Sequence, residues 1–251
     1  MTWEEERPGW TRREWVKLGV TVGAVGTLGA LTAGVWGQIF PPPKEFEGEV
    51  RETIEYTRFP TPQWWNSKAG TPVKVTDFEL WQGATGTWRG IYQQDRWIPG
   101  TGYPVLVIRV PRDDTNFQAP TDVTLPPELA GFSLYYDDPT RDLRIVTLFD
   151  RCVHLCCYPG WHVIPTADAP NVNYSPTYSV YGQDPVYCIC HASQYDPMVL
   201  VKSTNPKNNA TYVGAQFVHG PANRSLPVIA VRAANDTLVG GMVDARWYVY
   251  C

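Results

Sequence analysis

Cysteine and histidine are concentrated in two short stretches of this 251-residue chain. Residues 152–162 read CVHLCCYPGWH and hold three of the six cysteines and two of the four histidines. Residues 188–196 read CICHASQYD and add two cysteines and a third histidine. Such clusters are typical of metal sites, disulfides or reactive thiols, and each of these implies a different cellular compartment.

Two pairs of candidate metal ligands follow from the spacing. Cys152 and His154 form a CxH pair, and Cys188 and His191 form a CxxH pair. Each pair comes after a run of β-forming residues, LRIVTLFD and PVY, and is therefore expected on a loop that ends a strand. Two cysteines and two histidines can hold one zinc ion, or a two-iron cluster with both thiolates on one iron and both imidazoles on the other. The number of ligands does not choose between these sites.

Composition indicates the kind of domain that carries the stretches. A chain of 251 residues can bury a substantial core without disulfides. Charged residues make up only 18%, while tryptophan, tyrosine, proline and glycine are abundant, which favours an all-β, loop-rich body. The net charge of −4 and the lack of a Lys/Arg stripe argue against nucleic-acid binding.

The amino-terminal segment is predicted to span a membrane. No charged residue occurs from Leu18 to Pro43. A helix over residues 18–40, at about 1.5 Å per residue, is long enough for a hydrocarbon core of about 30 Å. A cleaved signal peptide is the alternative, but its apolar region is normally shorter and ends in an AxA site, which is missing before the three prolines.

The charges before this segment predict its orientation. Arg7, Arg12, Arg13 and Lys17 precede the apolar run, so residues 1–17 are expected in the cytoplasm. TRREWVK also resembles a twin-arginine export signal, although the two arginines can act simply as positive-inside charges. The proline-rich residues 41–48 predict a hinge, followed by an extracytoplasmic head over 49–251 in which disulfides can form.

The head is predicted to consist of short strands bounded by turn residues. The only soluble helix expected is a turn or two within PPELA at 126–130. The predicted strands are TPVKVTDFEL at 71–80, YPVLVIRV at 103–110, LRIVTLFD at 143–150, TYVGAQFV at 211–218, LPVIAVRA at 226–233 and RWYVY at 246–250.

The two cysteine and histidine stretches resemble the paired cluster-binding loops of the Rieske iron–sulfur proteins. That family has CTHLGC and CPCHGSxYD where this chain has CVHLCC and CICHASQYD. The resemblance implies a Rieske-type multi-sheet antiparallel β domain, with a cluster-binding subdomain at about 150–228. It also implies a 2Fe–2S cluster held by Cys152, His154, Cys188 and His191.

Further residues match the family at fixed offsets from these ligands. The resemblance implies a disulfide between Cys157 and Cys190 that locks the loops together. It also implies that the Ser193 hydroxyl donates a hydrogen bond to a bridging sulfide of the cluster and that the Tyr195 hydroxyl donates one to a cysteine sulfur. HGPANRSLPV at 219–228 is similar to the family's proline loop, which shields the cluster. The residues matched there are Gly220, Pro221 and Ala222.

The implied function is electron transfer from quinol. Imidazole ligands and hydroxyl donors both raise the reduction potential of a cluster, to roughly −150 to +300 mV for the Rieske type. The resemblance implies the Rieske subunit of a cytochrome bc-type quinol-oxidising complex in the cell membrane, a multi-subunit and dimeric assembly. His154 or His191 would accept the proton of quinol, and Leu155 would dock at the quinol pocket of a cytochrome b-type subunit. A cytochrome or copper protein would then accept the electron.

The chain departs from the family pattern at several positions. Cys156 and Ala192 stand where the family has glycine, and Ile189 stands where it has proline. The insert at 158–187 makes the gap between the ligand pairs about twice the usual length and predicts an added surface beside the cluster. Cys156 and Cys251 remain unassigned, and a second disulfide between them is a hypothesis.

Two alternatives to this function stay open. The chain could be the Rieske electron-transfer small subunit of an exported oxidoreductase such as arsenite oxidase, or a domain stabilised by zinc. A Rieske oxygenase needs a second iron site with two more histidines, and His162 and His219 lie too far apart in the sequence to favour one.

Overall fold

The structure is a computed structural model that describes residues 48–162 and 175–241. These residues all belong to the second of two units of the chain, residues 47–251. The predicted cytoplasmic segment, membrane helix, most of the hinge, RWYVY and Cys251 lie outside the described residues. Within the described residues, no helix is long and apolar enough to cross a membrane.

The described chain is built mainly from antiparallel strands, which confirms the predicted all-β class. Helical structure there is limited to the four-residue helix α1, Pro176–Ser179, and three 3-10 turns at Asn66–Lys68, Val75–Asp77 and Pro127–Leu129. The strands are β1 Glu49–Val50, β2 Glu55–Tyr56, β3 Gly83–Trp88, β4 Ile91–Gln93, β5 Arg96–Trp97, β6 Tyr103–Val110, β7 Tyr136–Asp138, β8 Leu143–Phe149, β9 Val186–Cys188, β10 Ser193–Thr204, β11 Thr211–His219, β12 Leu226–Pro227, β13 Ala230–Ala234 and β14 Thr237–Gly241.

A five-stranded sheet in the order β2-β3-β6-β8-β7 forms the base of the head. Its central strands are runs of valine, isoleucine and leucine, and every residue of β8 is buried. Ile108 of β6 lies opposite Val146 of β8, and both side chains are fully buried. Because both faces of these strands are covered, the sheet gives a rigid start to the loop that follows β8.

A four-stranded sheet in the order β12-β11-β10-β9 carries the second cysteine stretch. Strand β10 bulges within this sheet, because the register passes from the pair Asp196↔Gln216 directly to the pair Leu200↔Ala215. Within the bulge, the Met198 carbonyl instead accepts a hydrogen bond from the Gln118 backbone amide at 2.9 Å. The bulge therefore joins this sheet to the loop that follows β6.

The predicted strands agree with the structure in part. YPVLVIRV, LRIVTLFD and TYVGAQFV correspond to β6, β8 and β11. The prediction that LPVIAVRA forms one strand is wrong. The chain leaves β12 at Val228, and the Ile229 amide donates a hydrogen bond to the Thr147 carbonyl of β8. The chain then enters β13.

TPVKVTDFEL is also wrong as a strand. It holds isolated bridges at Pro72 and Lys74 followed by the 3-10 turn Val75–Asp77, because its backbone bonds to several different segments in succession. PPELA contains the 3-10 turn Pro127–Leu129, close to the expected helical turn.

The described ends of the insert pack against the head. The Trp161 indole donates to the Trp81 carbonyl at 2.8 Å, and the two rings stack with centroids 6.1 Å apart. The Tyr181 hydroxyl donates to the Asp113 carboxylate. That bond, with others from Asn116 and Thr115, holds the pKa of Asp113 well below its usual range, and burial raises the pKa of Tyr181 to about 12.

Candidate metal centre

The first cysteine stretch forms a tight turn after β8. The Cys152 amide donates to the Cys157 carbonyl at 2.7 Å, and the Cys156 amide donates back to the Cys152 carbonyl at 2.9 Å. Cys156 has a left-handed backbone with φ of 61°. The turn closes on itself, so that Cys152 is held at its buried end.

The second stretch forms a similar turn between β9 and β10. The Ala192 amide donates to the Cys188 carbonyl at 2.9 Å, and Cys188 pairs with Ser193 across the two strands. Ala192 also has a φ of 61°. In both loops the left-handed residue is therefore the fourth after the first cysteine.

This geometry explains two departures from the family pattern. Cys156 and Ala192 occupy the positions of the family's glycines, and both adopt the backbone conformation that glycine favours. A non-glycine residue pays about 1–2 kcal/mol to do so. Cysteine and alanine at these two positions therefore keep the tight turns but lower the stability of the loops.

The Cys157–Cys190 disulfide that the resemblance implies is present and connects the two loops. Cys156 is disulfide-bonded as well. Its suggested partner Cys251 lies outside the described residues, and the pairing of these two cysteines stays a prediction.

Cys152 and Cys188 are the free cysteines within residues 48–162 and 175–241, and both are buried. Their sulfurs share a hydrogen bond. The Cys188 thiol, donating that bond, lowers the pKa of Cys152, and the same bond together with burial raises the pKa of Cys188. The two sulfurs therefore lie side by side in the interior.

The two histidines also lie together. The rings of His154 and His191 are nearly perpendicular, with centroids 4.8 Å apart. His191 is exposed, whereas the Nδ1 atom of His154 is buried and has no hydrogen-bond partner. An orphaned buried nitrogen normally costs free energy, and a bound metal ion would remove that cost.

Donors of one kind are therefore paired with each other, thiol with thiol and imidazole with imidazole. A two-iron cluster of the Rieske type needs this division, because one iron takes two thiolates and the other two imidazoles. The four predicted ligands fit such a group through the buried thiol pair and the unsatisfied His154 nitrogen.

A second sulfur group lies beside them. The sulfurs of Cys157, Cys188 and Cys190 are all within 4.8 Å of one another, a spacing that could hold a metal ion. Two of the three are joined in the disulfide, however, and a disulfide sulfur is not a thiolate ligand. Only Cys188 of this group is free to bind metal while the disulfide is intact.

Two hydroxyls lie on the Cys152 sulfur. The Tyr195 oxygen is 3.1 Å from the sulfur, and Tyr195 is fully buried. Burial and the nearby Cys152 raise the pKa of Tyr195, so its hydroxyl keeps its proton and donates. The Ser193 hydroxyl helps to lower the pKa of Cys152 and accepts a hydrogen bond from the Ala222 amide at 3.1 Å. Both side chains lie on one face of β10, as residues two apart in a strand do.

The proline loop packs directly on the second cysteine loop. Gly220 has a φ of 104°, and a Cβ added to it would lie 2.5 Å from the Ser193 Cα and 2.6 Å from the Ala192 carbonyl oxygen. Pro221 is exposed and Ala222 is buried. Glycine is therefore required where the two loops touch.

Apolar side chains surround the imidazoles at the surface. Leu155 in the first loop and Ile189 in the second are 62% and 67% exposed. Leu155 is thus available at the position where docking is predicted, and Ile189 adds a second apolar side chain that was not predicted.

Three charged residues near the loops were also missed. Burial raises the pKa of Asp150 to about 8, which the adjacent Arg151 partly counters. Arg151 donates to the Cys156 carbonyl at 3.0 Å and lies 3.8 Å above the Tyr158 ring. Asp196, the last residue of CICHASQYD, is fully buried. Only Asp196 had a sequence signal, since it matches the final position of the family's second motif.

No protein-family model matches this chain, and no curated protein matches it.

We expect Gly220→Ala to lower the free energy of unfolding by about 1–3 kcal/mol, because the new Cβ combines backbone strain with a clash against the second loop. Gly70→Ala is the matched control, since Gly70 also has a positive φ, 82°, but no atom within 4 Å of the added Cβ. Equilibrium denaturation compares the two variants. Equal losses would contradict the close packing of the loops.

Replacing both Cys157 and Cys190 by serine is expected to lower the free energy of unfolding by about 3–4 kcal/mol, given the separation of 33 residues and the chain-entropy model. Denaturant unfolding with thiol titration checks the value. A double variant as stable as the parent would show that this disulfide does not constrain the chain.

Proposed function

We propose that this chain is a Rieske-type 2Fe–2S protein that carries electrons from quinol in a cytochrome bc-type membrane complex. The proposal rests chiefly on one arrangement, a buried pair of free cysteines and, on the same two loops, a pair of adjoining imidazoles of which one is exposed. The disulfide clamp and the two hydroxyls on Cys152 support it, because a single structural zinc ion needs neither.

Cys152 and Cys188 would hold one iron, and His154 and His191 the other. When bound, the cluster supplies a one-electron acceptor of high potential, since neutral imidazoles replace two thiolates. Tyr195 and Ser193 donate hydrogen bonds to the Cys152 sulfur and stabilise added negative charge there.

The histidines manage the proton. The buried Nδ1 of His154 suits the metal side of the ring, which leaves Nε2 for exchange with a donor outside. A neutral imidazole can accept the hydrogen bond of a quinol hydroxyl and then its proton. The exposed ring of His191 offers a second acceptor beside it.

The surface around the imidazoles suits an apolar partner. Leu155 and Ile189 would pack at the mouth of a quinol pocket and keep water from the proton-accepting nitrogens. We propose a cytochrome b-type subunit as this partner and a cytochrome or copper protein as the acceptor. The predicted membrane helix and hinge would keep the head on the extracytoplasmic side.

Tyr195→Phe and Ser193→Ala are each expected to lower the midpoint potential by about 40 mV. This value corresponds to a hydrogen bond that strengthens by about 1 kcal/mol on reduction. Redox titration followed by EPR measures the shift, and Tyr187→Phe, on the neighbouring strand, is the control. Unchanged potentials in both variants would contradict the assignment of these hydroxyls.

Isolation of the tagged full chain from native membranes tests the proposed complex. We expect a haem-containing cytochrome b-type subunit to copurify, and quinol to reduce the isolated complex. Copurification with a soluble oxidoreductase and no cytochrome b would instead favour the arsenite-oxidase type of small subunit. A colourless, zinc-containing protein would refute both proposals.

A further inference from the structure

Asp196 connects the insert to the strand that carries Tyr195. Its carboxylate is fully buried and accepts four hydrogen bonds. The donors are the hydroxyls of Ser175 and Thr177, the Thr177 amide at 3.2 Å and the Met198 amide at 2.7 Å. Two of these residues belong to the insert, and Met198 belongs to the bulge of β10. One side chain therefore joins the insert to β10 and its bulge.

The strand has few partners in its own sheet just after Tyr195. The register with β11 shifts on both sides of Tyr195 and Asp196, which leaves only the pairs Tyr195↔Phe217 and Asp196↔Gln216 between the shifts. Strand β9 pairs with β10 no further along than Tyr195. Because bulges re-aim neighbouring side chains, the backbone that follows Tyr195 depends on contacts outside the ladder.

Successive side chains of a strand point to opposite faces. Tyr195 reaches the Cys152 sulfur on one face, and Asp196 meets Ser175 and Thr177 on the other. The Asp196 carboxylate also closes the bulge through the Met198 amide. Its bonds thus hold the backbone directly behind the Tyr195 hydroxyl.

We propose that Asp196 is a positioning residue. With Ser175 and Thr177 it holds the Tyr195 hydroxyl on the Cys152 sulfur and so maintains a high reduction potential. This inference rests on the proposed 2Fe–2S function. It gives the insert a role beyond an added surface, since the start of its second described part braces the strand that tunes the cluster.

The sign of the effect separates positioning from simple electrostatics. Loss of a nearby negative charge makes a cluster easier to reduce and raises its potential. Loss of the Tyr195 hydrogen bond lowers the potential instead. Asp196→Ala is therefore expected to lower the midpoint potential, in the same direction as Tyr195→Phe.

Redox titration of the full chain compares the parent, Asp196→Ala, Tyr195→Phe and the double variant. Because Asp196 acts through Tyr195, the double variant is expected to have the potential of Tyr195→Phe alone. A raised or unchanged potential in Asp196→Ala would overturn the proposal, and so would additive losses in the double variant.

Milder variants keep the test decisive where Asp196→Ala does not fold. Ser175→Ala and Thr177→Val each remove one hydroxyl and retain the carboxylate, and each is expected to lower the potential by less. Ser179→Ala is the control, since its hydroxyl bonds the Ser175 carbonyl at 2.9 Å and not Asp196. Unchanged potentials in both test variants would overturn the proposal.

The EPR spectrum of the reduced parent separates failure of the Asp196 proposal from failure of the proposed function. A 2Fe–2S signal whose potential is insensitive to these variants would reject the role of Asp196 alone. A parent without any iron–sulfur signal would reject the proposed function, and the inference with it.

Discussion

The Cys157–Cys190 disulfide joins two loops that begin in different sheets. The first loop follows β8 of the base sheet, and the second connects β9 to β10. Inside each loop, an amide of the left-handed residue bonds back to the carbonyl of the free cysteine. The disulfide therefore fixes the distance between the two halves of the donor set, while the turns fix each donor within its half. Without this disulfide, the two loops that carry the four predicted ligands would lose the cross-link between them.

The resulting site has two unlike ends. Its thiol end is buried beneath β10 and accepts hydrogen bonds from Tyr195 and Ser193. Its imidazole end is partly exposed, and the same two loops carry the exposed side chains of Leu155 and Ile189. The buried end is suited to stabilising an electron, since fixed donors there need not reorganise. The exposed end is suited to exchanging a proton with a bound molecule. This division is what the proposed coupling of electron and proton transfer requires.

Local sequence patterns predicted several of the strands. Contacts between residues distant in the sequence could not be predicted in this way. Strands β6, β8 and β11 follow from runs of β-branched and apolar residues, whereas β10 was missed because Asp196 and Pro197 interrupt its pattern. The two candidate ligand pairs came from residue types and spacing, whereas the disulfide and the roles of the hydroxyls came from the resemblance. Two outcomes needed coordinates: the left-handed backbone of Cys156, and the bonds of Asp196 to residues some twenty positions earlier in the chain. The insert brings Ser175 and Thr177 close to Asp196 although they are distant from it in the sequence.

The central claim concerns what the two donor pairs bind. Mössbauer spectroscopy of the full chain, expressed with ⁵⁷Fe and measured oxidised and reduced, tests it most directly. The account predicts two inequivalent irons in equal amounts, one held by the two thiolates and the other by the two imidazoles. Two irons with the same ligand set, a single iron, or a protein that contains zinc and no iron would contradict it.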